Sequence, residues 1–91
     1  MEFKYQPGRV YLEDPNGRPI AEILFPNVDK KTVNITHTWV DESLRGQGIA
    51  AKLVEEVIAQ LKKSGKKAIL TCPYAKAYFE KHPEFASLVK K

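Results

Sequence analysis

The chain has 91 residues, 43% hydrophobic and 29% charged, the size and balance of one small soluble globular domain spanning 1–91. No apolar run approaches the ~18 residues of a membrane span, and "MEFKYQPG" lacks the apolar centre of a signal peptide, so a cytoplasmic protein is expected. A single cysteine, Cys72, excludes an internal disulfide, and one thiol with two histidines makes a poor metal set. The formal charge of +4 favours anionic partners, whether cofactor phosphates, an acidic protein or nucleic acid.

"RVYLED" alternates Val10 and Leu12 with Tyr11 and Glu13, the pattern of a half-buried strand. "DPNGRP" follows, where Asn16-Gly17 is a strong turn signal. "PIAEILF" reads as a second strand stopped by Pro26, and "NVDKK" as a polar turn. The β-branched run "TVNITHTWV" predicts a third strand from about Thr32 to Val40, and the three strands most simply make an antiparallel meander. After Ser43 the period changes. Ile49, Ala50, Leu53, Val54, Val57, Ile58 and Leu61 form one apolar helical stripe that stops at Ser64-Gly65. "AILTC" is a short strand ended by Pro73, "YAKAYFEKH" a short helix, and "EFASLVKK" a last helical turn or two. The third strand, the long helix and "AILTC" make a βαβ unit, which sets its two strands parallel through a right-handed crossover. The fold class is α+β: an antiparallel meander carrying one parallel addition.

"ESLRGQGIAAKL" puts Arg45, Gly46, Gln47 and Gly48 directly before the helical stripe. A helix opening leaves backbone N–H groups without intrahelical partners and carries partial positive charge. Glycines let such a backbone approach a phosphate closely, and Arg45 adds a charge-assisted contact. The run is not a Walker loop, since Ile49 and Ala50 follow Gly48. It matches GxGxxG only with Ala51 in the third glycine's place, and no dinucleotide fold surrounds it. The plain alternative is a glycine-rich turn before an ordinary amphipathic helix.

"RGQGIA", residues 45–50, resembles the R/Q-x-x-G-x-G/A loop of the GNAT N-acetyltransferase superfamily, whose members bind acetyl-coenzyme A. With "ITHTWVDESLRGQGIAAKLVEEVI" and "CPYAKAYFEKHPEF" the likeness runs over roughly residues 8 to 88 and is closest to a subgroup of small single-domain members. It implies a truncated GNAT-like fold: the three-strand meander, then a helix, a parallel strand and a short C-terminal helix. It also implies that Thr38, Trp39 and Val40 carry the thioester, where a backbone N–H polarises the acetyl carbonyl. Arg45 and the amides of Gln47, Gly48, Ile49 and Ala50, with Gly46 giving close approach, would then hold the pyrophosphate. Ordinary members have an N-terminal strand and helices that wall the acceptor side, and by this resemblance nothing substantial is expected before the meander here. The acceptor site is therefore expected to be open or completed by another chain, which suits a protein amine better than a small enclosed one. A homodimer is one form such completion takes.

The catalytic candidates are four. Many GNAT enzymes carry a tyrosine in a Phe-Tyr-Glu-Lys run to protonate the departing thiolate, whereas this chain reads Tyr78, Phe79, Glu80, Lys81. The hydroxyl is thus displaced by one residue, about 100° round the helix, and Tyr74 is an alternative donor. His37, on a strand face with Val33, Ile35 and Trp39, is a candidate general base or a partly buried structural ring. Cys72, at the end of the second parallel strand, is a candidate acetyl-carrying nucleophile or an inert buried thiol. His82, before Pro83, reads as a helix cap. Three functions follow. The first is transfer from acetyl-coenzyme A to an amine, and the second a non-catalytic coenzyme-binding module of the same fold. The third, nucleic-acid binding, has least support because the lysines are dispersed and no stacking motif is present.

Overall fold

The computed structural model describes residues 2–90. Its elements in order are β1 (Lys4–Gln6), β2 (Arg9–Glu13), β3 (Pro19–Leu24), β4 (Asn27–Asp29), β5 (Thr32–Ile35), β6 (His37–Val40), α1 (Ile49–Ser64), β7 (Lys67–Leu70) and α2 (Pro73–Lys81). Short 3-10 turns cover Glu42–Leu44 and Pro83–Leu88. The strands form a four-stranded antiparallel sheet, β1-β2-β3-β6, and a three-stranded sheet, β4-β5-β7. In the second sheet β5 and β7 run parallel, with α1 as their crossover. The architecture is α+β, as the sequence predicts.

Three details differ from the sequence reading. "NVD" is an edge strand rather than part of a turn, because Asn27 pairs with Val33 and Asp29 with Thr32. A further strand, β1, pairs with β2 at the other edge. The expected strand from Thr32 to Val40 is two strands. Leu24 faces His37 in the β3–β6 register, and the Thr36 N–H also donates to the Leu24 carbonyl at 3.0 Å. Two residues thus oppose one, which is a β-bulge, and the alternation of side chains slips by one position. Val33 and Ile35 are buried before it, and His37 and Trp39 face out after it. The expected shared face of His37, Val33, Ile35 and Trp39 is therefore broken at Thr36.

The core lies between the inner face of the antiparallel sheet and α1. Val10, Leu12, Ala21 and Ile23 alternate inward and meet Leu53, Val54, Val57 and Leu61 of the helix. Gly65 ends α1 in the left-handed region at φ 72°, donating to the Leu61 carbonyl, and lysines 62 and 63 occupy the helix's last turn. β7 stops at Leu70, two residues short of the sequence expectation, and Cys72 is the residue that opens α2. Leu53 is fully buried. Leu53→Ala should lower the free energy of unfolding by about 2–5 kcal/mol in a denaturant titration. Exposed Lys63→Ala should change it by less than about 0.5 kcal/mol.

Candidate functional site

The bulge at Thr36 decides where a site can form. β5 stays with β7 and β6 stays with β3, so the two sheets part company after Ile35. The Ile35 carbonyl makes the last backbone hydrogen bonds before the parting, accepting from Thr71 N at 3.1 Å and Cys72 N at 3.0 Å. In the β3–β6 ladder Trp39 sits opposite Glu22, and Asp41 N donates to the Ile20 carbonyl. Alternate amides of an antiparallel strand point to opposite edges, so this phase turns the Trp39 amide to β3 and aims those of Thr38 and Val40 at the splay.

The connection from β6 to α1 is held by Asp41. Its carboxylate caps the 3-10 turn, accepting from Ser43 N at 3.1 Å and Ser43 Oγ at 2.6 Å. The Ser43 hydroxyl above all, then the Ser43 amide and the positive charges of Arg18 and Arg45, hold the Asp41 carboxyl below its ordinary range. Beyond the turn the chain passes Gly46 at φ 86° and Gly48 at φ 72°, left-handed conformations that side chains rarely adopt. Among the described residues a Cβ placed on either glycine meets nothing within 4 Å, so both stand against open space. That space is a cavity of about 200 Å³. It brings Val40, Arg45, Gly46, Gly48, Ile49 and Ala50 together with Tyr74. Leu44 and Ala51, which sequence reasoning missed, complete the lining. Their only sequence signal is an apolar residue inside "DESLRG" and a small one in the first helical turn. Ile49 turns its side chain into the core. Gln47 is exposed, and Thr38 and Trp39 lie outside the cavity lining. The Arg45 guanidinium has no carboxylate within 4.0 Å among the described residues.

The four catalytic candidates do not converge. Cys72 is buried, and its thiol donates to Thr38 Oγ1 at 3.4 Å across the splay. His37 projects from the other face of β6, half-exposed, with Nε2 at 3.8 Å from Glu22 Oε2. Glu22 Oε1 in turn accepts from Arg9 Nε at 2.8 Å. The partly buried reading of His37 is thus corrected, because the bulge turns the ring outward. Tyr78 is buried, and its hydroxyl donates to Glu55 Oε2 of α1 at 3.5 Å, while its ring stacks on His82 at 4.1 Å. Tyr74 remains at the cavity mouth. Burial first, then the Glu55 carboxylate, pushes both phenols above their ordinary value, so each is a protonated donor at neutral pH. His82 does cap α2, and its Nδ1 is buried with no hydrogen-bond partner among the described residues.

Two splayed strands and an open glycine loop at a helix start, set in an α+β frame, are the features that comparison with known proteins can place. The GCN5-related N-acetyl-transferase family model matches residues 9–88. A GCN5-like protein from Staphylococcus aureus, solved by NMR, superposes with a TM-score of 0.81 at 31% identity, covering 98% of this chain and 87% of that one. A GNAT-family N-acetyltransferase from Escherichia coli, solved in complex with CoA, gives a TM-score of 0.55 at 30% identity, over 64% of this chain and 35% of that one. Protein NATD1 of Xenopus tropicalis is 38% identical over 63 residues, which are 69% of this chain and 58% of NATD1. The chain thus spans a little over half the length of that curated relative. It belongs to the GCN5-related N-acetyltransferase family. Among the described residues no helix is long and apolar enough to cross a membrane.

Because the folded Asp41 carboxyl lies below its ordinary value, its contribution to loop order is complete above the unfolded value. It is lost as pH falls through the lower, folded one. The Ser43 amide signal in an NMR titration should therefore hold its position at mildly acidic pH and move only below the ordinary carboxylate range. In Asp41→Ala that step should vanish, and exchange at Ser43 and Leu44 should quicken at neutral pH.

Proposed function

We propose that the protein binds acetyl-coenzyme A and transfers its acetyl group to an amine carried by a protein. The observation that carries this reading is the pair of left-handed glycines bordering an open cavity at the start of α1, beside strands that splay apart. The cradle fits a pyrophosphate. The start of α1, whose first N–H groups lack intrahelical partners, borders it, its two glycines put no side chain into it, and Arg45 in its lining supplies charge. When bound, acetyl-coenzyme A supplies the activated acyl group. In this reading the amides of Thr38 and Val40 receive the pantetheine arm and polarise the acyl carbonyl, and the loop from Arg45 to Ala50 holds the phosphates.

Tyr74 is the preferred proton donor to the departing thiolate. It lines the cavity with its proton retained, whereas the Tyr78 hydroxyl is turned to Glu55. Cys72 is the nearest thiol to the splay and the candidate acyl carrier. His37 and Glu22 stand on the solvent-facing side of the antiparallel sheet, where an acceptor amine can approach and lose its proton. His37 is half-exposed on that face, which suits an amine presented by a folded or extended polypeptide. A second reading, a coenzyme-binding module without turnover, is favoured by the engagement of Tyr78 with Glu55 and the separation of His37 from Cys72.

Calorimetric titration with acetyl-coenzyme A and coenzyme A should show saturable binding of both. Gly48→Val should abolish it, since the new side chain both occupies the cavity and costs about 1–2 kcal/mol in the left-handed region. Retained affinity in a folded Gly48→Val protein would move the ligand elsewhere. Intact-mass analysis after exposure to acetyl-coenzyme A should show a gain of one acetyl group if Cys72 is the carrier, lost in Cys72→Ala. An acetylated product from a panel of peptide amines supports the transferase. Binding with no product from any amine supports the module.

A further inference from the structure

The formal charge of the chain sits at one end of the molecule. Segments 27–33, 60–68 and 89–90 meet where α1 finishes, tied by Lys67 N donating to the Lys31 carbonyl at 2.9 Å and Lys90 N to the Ala68 carbonyl at 2.8 Å. These segments hold seven lysines against one carboxylate, Asp29. The rest of the described chain holds seven cations and ten carboxylates. The molecule is therefore strongly positive at this end and net negative elsewhere. The sixteen residues of α1 separate it from the Gly48 loop by about 24 Å.

Among the described residues only Lys90 of these lysines has a carboxylate within 4.0 Å, Asp29 at 3.8 Å. Two hollows lie between them. Lys31, Lys67 and Lys90 rim one of about 390 Å³. Lys63 and Lys66 rim another of about 600 Å³, the larger of the two, whose lining includes Phe25, Val33 and Leu61. An apolar floor under a lysine rim is a mixed surface. Hydrated lysines attract carboxylates or phosphates at long range, but only an apolar group gains by filling the floor.

We propose that this end of the molecule is a docking site for an acidic polypeptide segment bearing a large aliphatic or aromatic side chain. The apolar side chain enters the hollow over Phe25, Val33 and Leu61, and flanking Asp and Glu residues pair with the lysines around both rims. Nucleic acid fits less well. Its backbone would neutralise the lysines yet leave the apolar floor unfilled, and these segments expose no aromatic ring for base stacking and contain no arginine. The site is independent of the acetyl-coenzyme A reading, because it shares no residue with the glycine-loop cavity.

The test uses the full chain and a fluorescein-labelled peptide of alternating Glu and Asp around a central Leu, followed by anisotropy at low ionic strength. Saturable binding is expected, weakened about tenfold by Lys63→Glu combined with Lys66→Glu and severalfold by Leu→Ser in the peptide. Coenzyme A binding by that variant should be unchanged, and Lys63→Gln with Lys67→Gln should show a smaller loss at an unaltered melting temperature. Absence of peptide binding at low salt overturns the proposal. So does equal affinity for the Leu→Ser peptide, and so does tighter binding of a duplex DNA whose affinity falls steeply with salt.

Discussion

The fold and its candidate site both depend on one backbone event, the extra residue at Thr36. Without it, residues 32–40 would form one strand bridging a continuous sheet. With it, the Thr36 and His37 backbones share a single partner in Leu24, and the Ile35 carbonyl takes both Thr71 N and Cys72 N. The strand's first half stays bonded to β7 and its second half to β3. A gap between parallel neighbours exposes backbone donors that a regular sheet would consume, and such donors are what an extended polar ligand arm requires.

The same slip of one residue sorts the chemistry by face. Thr38 turns toward the Cys72 thiol, and His37 turns away toward Glu22. Adjacent residues of a strand always take opposite faces, and the slip decides that Thr38 takes the splay side and His37 the solvent side. In the proposed reaction this divides the work between an acyl side, with Thr38, Cys72 and Tyr74, and an acceptor side, with His37 and Glu22. α1 links the two ends of the molecule. Its opening faces the glycine-loop cavity, its apolar stripe fills the core, and its last turn carries lysines into the basic end.

Most of the architecture was legible in the sequence because it rests on short-range rules. The period of 3.6 from Ile49 to Leu61, the glycine stop at Gly65 and the alternation in "RVYLE" each reflect local geometry that tertiary contacts reinforce. The glycine loop was legible for the same reason, since left-handed backbone before a helix demands glycine wherever it occurs. The bulge was not. "TVNITHTWV" has unbroken β-branched character, and nothing local marks Thr36 as the residue that loses its turn in the ladder.

The amino-acid order thus determined the central strands, the two helices, the βαβ crossover and the helix-opening loop, because propensity, periodicity and glycine conformations act over a few residues. Only the tertiary structure decided the facing of His37, the contact of Cys72 with Thr38 across 34 positions, and the choice of Tyr74 over Tyr78 at the cavity. It also gathered lysines from three separate segments into one basic end. These features arise from strand register and from contacts between distant segments, and no local window of sequence contains both partners of such a contact.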